Sequence, residues 1–212
     1  MEFKEFLNKY QSLPTLSSQV LLTGEKHKAS FRVQLGRWVK AGNIVQLRRG
    51  LYAFAPPFQK KNPSQNFLAS VLRAPSYVSL EKAFEIHGMI PEAVFTVTSV
   101  TTRRPGVYDT ALGRFEYQHI QPRLFWGYTA IVEDGQTWYV AHPEKALLDF
   151  IYLRSVRLTP AYLEEWRLQN FEALDLPRLL EYGRRFEKPG MLRAAKTLIQ
   201  FSEESLAKEK SL

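Results

Sequence analysis

Apolar residues recur along this chain with two periods, and the switches between them mark its elements. Phe3, Phe6, Leu7 and Tyr10 fall at helical spacing and predict a helix over Glu2 to Tyr10. Ser17 or Ser18 can cap a short second helix that runs through Leu22 and ends at Gly24. Ser30 can cap a third that reaches about Ala41 and stops at Gly42. Ile44 to Leu47 and Leu51 to Phe54 then read as two strands, with Arg48, Arg49 and Gly50 turning between them.

The run Ala55 to Gln65, APPFQKKNPSQ, breaks this pattern, because two adjacent prolines, a third proline and a lysine pair suit neither a regular helix nor a central strand. Beyond it, Phe67 to Arg73 and Leu80 to His87 read as helices. Ala93 to Thr102, Gly113 to Ile120 and Tyr128 to Val140 read as strands, the last folded back at Asp134-Gly135. Pro143 to Arg154, Pro160 to Asn170, Pro177 to Phe186 and Met191 to Phe201 are helical, three of them opening on a proline that suits a first helical position. The charged stretch from Ser202 to Leu212 is expected to fray. Strands gathered ahead of helices predict an α+β protein. The expected plan is a winged helix-turn-helix over residues 1–57, a linker over 58–65, and a mixed α/β domain over 66–205 with an antiparallel sheet and a helical C-terminal part. A tail follows over 206–212.

The third helix carries the functional expectation. Phe31, Leu35, Trp38 and Val39 share one face and would pack on the first two helices. The opposite face holds Val33, Gly36, Arg37 and Lys40, with Arg32 on its flank. Small residues permit close approach to a major groove, and long cations reach phosphates and guanine edges. Lys26, Lys28 and Ser30 lie at the entry to this helix, and Arg48 and Arg49 at the tip of the hairpin behind it. No Asp or Glu occurs from residue 26 to 49. Lys26, Lys28, Ser30, Arg32, Arg37, Lys40, Arg48 and Arg49 are the candidate DNA contacts. Which of Arg32, Arg37 and Lys40 reads a base and which holds phosphate stays open.

Composition narrows the alternatives. The 212 residues carry a formal charge of +8, which favours a polyanionic partner, and the absence of cysteine removes disulfides, zinc–thiolate sites and cysteine nucleophiles. The N-terminus alternates charged and apolar residues rather than building a leader, and no apolar run approaches the ~20 residues of a membrane span. A cytoplasmic location without membrane contact is therefore expected. The four histidines lack ligand spacing, and neither a phosphate-binding glycine loop nor a nucleophile elbow occurs, so no metal, cofactor or catalytic residue is expected.

Pro143, Glu144, Lys145 and Asp149 look at first like a charged catalytic cluster. On a helix begun at Pro143, Glu144 sits at the positive end of the dipole, and Lys145 and Asp149 are one turn apart, expected to pair across the surface beside the apolar stripe of Ala146, Leu147, Phe150 and Ile151. With Glu133 and Asp134 the motif also admits a DNA-tethered magnesium nuclease, which needs carboxylates converging on one ion. Arg103, Arg104, Arg114 and Arg123 either extend a basic face or stand as isolated surface arginines.

Several of these segments together resemble one family. VQLRRGLYAF (Val45 to Phe54), YVSLEKAFEIHGMIPEA (Tyr77 to Ala93), TVTSVTTRRPG (Thr96 to Gly106), GRFEYQHIQPRLFWGY (Gly113 to Tyr128) and AHPEKALLDFIYL (Ala141 to Leu153) occur in the order found in AbiEi-type antitoxins of type IV toxin–antitoxin modules, a group associated with phage defence. The resemblance runs from about the second helix to Leu153. It implies an autorepressor that binds inverted repeats of double-stranded DNA in its own promoter, in two copies. It also implies an antitoxin that counters a nucleotidyltransferase toxin without a stable complex, with Pro143, Glu144, Lys145 and Asp149 in its antitoxin-domain motif. A solitary regulator without a toxin, and a winged helix that contacts protein rather than DNA, remain alternatives.

Overall fold

The computed structural model describes residues 1–23 and 27–209. It is an α+β structure with two sheets, and among the described residues no helix is long and apolar enough to cross a membrane. The N-terminal part holds α1 (Phe3–Tyr10), β1 (Leu16–Ser17), α2 (Ser18–Leu21), α3 (Lys28–Lys40), β2 (Ile44–Arg48) and β3 (Leu51–Phe54). Its sheet is antiparallel in the order β1-β3-β2. Aromatic side chains knit it together: Phe6 of α1 is fully buried, with its ring centroid 4.5 Å from Trp38 of α3 and 5.6 Å from Phe54 of β3.

α3 begins at Lys28, two residues before the serine expected to cap it, so Ser30 lies in the first turn and makes no cap; the N-cap, His27, has no side-chain cap bond either. The helix ends as the glycine signal required. Gly42 takes a φ of +72°, its N–H donates to Val39, and the Asn43 N–H donates to Trp38, the paired bonds of a Schellman stop. The expected end of the second helix at Gly24 lies outside the described residues.

The C-terminal part is built on a six-stranded sheet: β4 (Ser76–Val78), β5 (Thr96–Thr101), β6 (Gly106–Thr110), β7 (Gly113–His119), β8 (Tyr128–Glu133) and β9 (Gln136–Ala141), in the order β6-β7-β5-β4-β9-β8. The sheet is mixed, not antiparallel as expected, because β5 runs parallel to β7 and β4 parallel to β9. The parallel β5–β7 pair comes from β6, which the sequence pattern does not reveal. From β5 the chain passes to the sheet edge as β6 and returns as β7 between them, which reverses the direction a simple meander would give.

Around the sheet lie α4 (Gln65–Leu72), α5 (Glu81–Ile86), α6 (Pro143–Arg154), α7 (Pro160–Glu165), α8 (Leu176–Arg185) and α9 (Pro189–Glu209). Ser64 caps α4 by accepting from the Phe67 N–H, and Asp175 caps α8 by accepting from the Arg178 N–H. α7 stops at Glu165, short of the expected Asn170. α9 does the reverse: it continues through the stretch expected to fray, because Leu198, Ile199, Ser202 and Leu206 keep facing the core at helical spacing.

Two hydrophobic cores meet at the β2–β3 hairpin. Ile44 and Phe54 belong to the N-terminal core, whereas Leu47, Leu51 and Ala53 belong to the core of the large sheet. The hairpin is a shared wall between the two halves.

Candidate nucleic-acid interface

The outer face of α3 is open. Phe31, Leu35 and Trp38 are buried, and Lys28, Ser30, Arg32, Val33, Gly36, Arg37 and Lys40 are exposed. At 100° per residue the centre of this face is the stripe Val33, Gly36, Arg37 and Lys40, and Arg32 stands to one side. Val33 is 57% exposed, an apolar side chain that belongs to neither hydrophobic core. A β-carbon built on Gly36 meets nothing within 4 Å, so the protein's own packing does not demand glycine there. Glycine inside a helix costs roughly 0.5–1 kcal/mol relative to alanine, and here no internal contact offsets that cost. A helix face of small residues flanked by cations and free of carboxylates can approach a phosphate-lined groove.

The remaining candidates divide. Arg49 is exposed at the hairpin tip, beside Gly50. Arg48 turns the other way. Its Nη2 donates to the carbonyl of Val71 on α4 at 3.4 Å and its Nη1 to the Arg49 carbonyl at 3.1 Å, while its Nε is buried without a partner. A register shift between Gln46 and Arg48 in the β2–β3 pairing sets this direction. Arg48 is thereby drawn into the seam between the halves. Lys26 lies outside the described residues.

The charged motif of α6 is not a surface feature. Lys145 and Asp149 are both 0% exposed and form a buried ion pair, which corrects the expected surface pairing. The sequence spacing is right, but the whole of α6 from Glu144 to Ile151 is buried, so no face of that stretch is left for water. Two residues complete the network. The Tyr77 hydroxyl donates to Asp149 Oδ2 at 2.8 Å and accepts from Lys145 Nζ at 3.0 Å, and the Ser79 hydroxyl donates to the same carboxylate oxygen at 3.0 Å. The ammonium also lies 4.9 Å from the Trp126 ring and 5.0 Å from the Phe186 ring. Burial pushes the Lys145 ammonium below its ordinary pKa and the Asp149 carboxyl above its own, and the contact between them opposes both shifts. Tyr77 is pushed well above its ordinary value by burial first and by Asp149 second. Tyr77 and Ser79 lie about 70 residues away in sequence, and no spacing rule links them to α6.

Glu144 follows the same logic at the head of the helix. Its Oε1 accepts from the Asp175 N–H at 2.8 Å and its Oε2 lies 3.6 Å from Arg178, which ties the start of α6 to the start of α8. His142 Nδ1 meets the Tyr182 hydroxyl at 2.8 Å, and burial, with Arg178 second, lowers the His142 pKa. Pro143 is the first residue of α6.

The carboxylates of the nuclease reading do not converge. Glu133 and Asp134 are exposed at the β8–β9 turn, the length of β9 separates them from Glu144, and the Glu144 carboxylate is already engaged. Among the described residues no group of three or more His, Asp or Glu could hold a metal ion. Of Arg103, Arg104, Arg114 and Arg123 beside the large sheet, three are engaged within the protein. Arg114 pairs with Asp109, Arg123 with Glu187, and Arg103 donates to the Ala74 carbonyl.

Compared with protein-family models and with curated proteins, the chain matches none.

Proposed function

We propose that this protein is a bacterial cytoplasmic DNA-binding repressor whose N-terminal part works as a winged helix-turn-helix, with α3 in the major groove and Arg49 of the hairpin at the flanking backbone. The observation that carries the reading is the outer face of α3: Arg37 and Lys40 around an unpacked glycine, Arg32 beside them, and no carboxylate on the helix. Three helices followed by a hairpin, in that order, support it. The target is double-stranded DNA, an inverted repeat in the protein's own promoter, and two copies occupy it because operator symmetry mirrors protein pairing.

The second half of the proposal is that the protein is the antitoxin of a type IV module and counters a nucleotidyltransferase toxin. Its support is the ordered resemblance from Val45 to Leu153. Lys145 and Asp149 then act as the internal brace of that domain and not as its contact surface.

A gel shift on the promoter upstream of the gene tests the first half. Wild-type protein binds, and binding falls steeply with salt. Alanine at Arg32, Arg37 and Lys40 weakens it and lowers the salt slope by about 1 for each phosphate no longer neutralised. Unchanged binding by the triple variant removes α3 as the reading element. Co-expression with a neighbouring nucleotidyltransferase gene tests the second half, with rescue of growth as the expected result.

A further inference from the structure

The large sheet has two edges, and they are treated differently. At one edge, β6 lies against β2 of the N-terminal part. At the other, β8 pairs only with β9 among the described residues, and Thr129, Ala130, Val132 and Glu133 are exposed, Val132 by 70%. Natural edge strands are blunted by lysine, proline or bulges. β8, YTAIVE, contains no lysine, arginine or proline, and its register with β9 is unbroken.

The backbone parity of this edge is fixed. Gly127 O accepts from the His142 N–H at 2.9 Å, and Glu133 and Gln136 close the two-residue turn, so the odd-numbered residues of β8 bond inward to β9. Tyr128, Ala130 and Val132 therefore turn their N–H and C=O groups outward, three donors and three acceptors in a row. The flanking surface is apolar on both sides. Ala130, Val132 and Tyr139 are exposed on one face, and on the other a groove of about 530 Å³ runs along β8 and β9, lined by Ile86, Ile131, Trp138 and Val140 among others.

We propose that this edge docks a second copy of the chain, the two β8 strands pairing antiparallel about a twofold axis through Ala130 to join the sheets of two molecules. The parity permits it, since outward-facing residues must oppose outward-facing residues. With Ala130 opposite itself, Tyr128 faces Val132, Thr129 faces Ile131, and the outward N–H groups of both strands meet the outward C=O groups. The charge pattern favours a copy over a foreign strand. In a self-pairing contact an edge charge near the axis meets its like, which destabilises the pair. β8 carries one charge, Glu133, and this register places it opposite Gly127, outside the paired segment. A small residue occupies the axis, where two identical side chains lie closest.

The test is the mass of the full-length protein in solution, measured by light scattering or sedimentation from about 1 to about 100 μM, the range in which a small strand-pairing contact dissociates. The mass is expected to rise from one chain to two. Ala130→Pro removes only an outward N–H and touches no β8–β9 bond; Ala130→Lys puts like charges on the axis. Each is expected to raise the dissociation midpoint at least tenfold, with circular dichroism unchanged. Ala130→Cys supplies the chain's sole thiol. A hydrogen-bonded antiparallel pair holds its Cα atoms about 5.5 Å apart, within disulfide reach, so mild oxidation is expected to cross-link it, and Val107→Cys on β6 is expected to stay single. A one-chain mass at every concentration overturns the proposal, as does a dimer indifferent to both folded Ala130 variants, or equal cross-linking at Val107. A failure of Ala130→Pro to fold leaves Ala130→Lys and the cross-link to decide. DNA plays no part in these measurements, so their outcome is separate from that of the gel shift.

Discussion

Lys145 and Asp149, one turn apart on α6, form an ion pair from which solvent is wholly excluded. The desolvation cost of two buried charges is large, and here it is met by a closed set of partners: Tyr77, Ser79 and the rings of Trp126 and Phe186. Breaking one side leaves the other charge stranded. Lys145→Met is expected to destabilise the protein by about 3–5 kcal/mol, and Lys145→Met with Asp149→Leu to recover most of that loss. Denaturant unfolding of the two variants checks this. A double variant as unstable as the single would mean that the hydroxyls of Tyr77 and Ser79, left unpaired, dominate.

Gly127 belongs to the same site. Its φ is +76°, and a β-carbon there would lie 3.0 Å from Lys145 Cγ and 3.2 Å from its Cβ and Cδ. Gly127→Ala therefore both strains the backbone and presses on the lysine stem. A loss of about 1–3 kcal/mol is expected, the scale of an overpacked core. Thermal unfolding measures it; an unchanged midpoint would show that the lysine stem shifts freely.

His142 gives the stability a pH dependence of known sign. Burial and Arg178 hold its folded-state pKa below the unfolded value, His87 adds to the depression, and Glu144 opposes it. The unfolded chain then binds the proton more readily, so stability falls as pH drops through the unfolded value of about 6.5 toward the folded one. His142→Gln keeps a hydrogen-bond partner for Tyr182 and removes the titration. The difference in unfolding free energy between wild type and this variant is expected to vary with pH below about 6.5 and to be flat above it. A difference flat across the whole range would discard the assignment.

The two arginines of the hairpin tip separate by role. Arg48 reaches the Val71 carbonyl across the seam, and Arg49 faces water. Arg48→Ala is expected to lower stability by about 1 kcal/mol or more while leaving DNA affinity nearly intact. Arg49→Ala is expected to do the opposite, weakening DNA binding with a salt slope reduced by about 1. Paired melting curves and gel shifts distinguish them, and the reverse pattern would show that the hairpin reorients on DNA.

Much of this architecture was legible because periodicity reports burial. α3, its glycine stop, the β2–β3 hairpin and α6 all lie close to where apolar spacing and capping signals put them. The misses have separate local causes. β4 spans three residues, too few to show a period, and β6 alternates half-buried with exposed positions, so it lacks a fully buried face. Without β6 the direction of β7 could not be read. The surface assignment of Lys145 and Asp149 failed because charge implies exposure only where no partner is supplied, and their partners Tyr77 and Ser79 come from a distant strand and its exit. Arg48 turns toward α4 at a bulge, which no residue type in the hairpin announces.

Gly36 offers the sharpest separation of stability from binding. It lies in the interior of α3, where alanine is the better helix former by roughly 0.5–1 kcal/mol, and nothing stands within 4 Å of where the methyl would go. Gly36→Ala is therefore expected to raise the unfolding free energy by about that amount. If glycine is there to let the backbone approach DNA, the same methyl, and more so the side chain of Gly36→Gln, must weaken promoter binding in a protein that is no less stable. Denaturation and gel shift on the same preparations give both numbers. A variant that gains stability and binds DNA as tightly as wild type would leave the glycine unexplained and would move the DNA-reading surface off the centre of α3. A variant that gains stability and loses affinity ties the cost carried in the free protein to the contact it makes when bound.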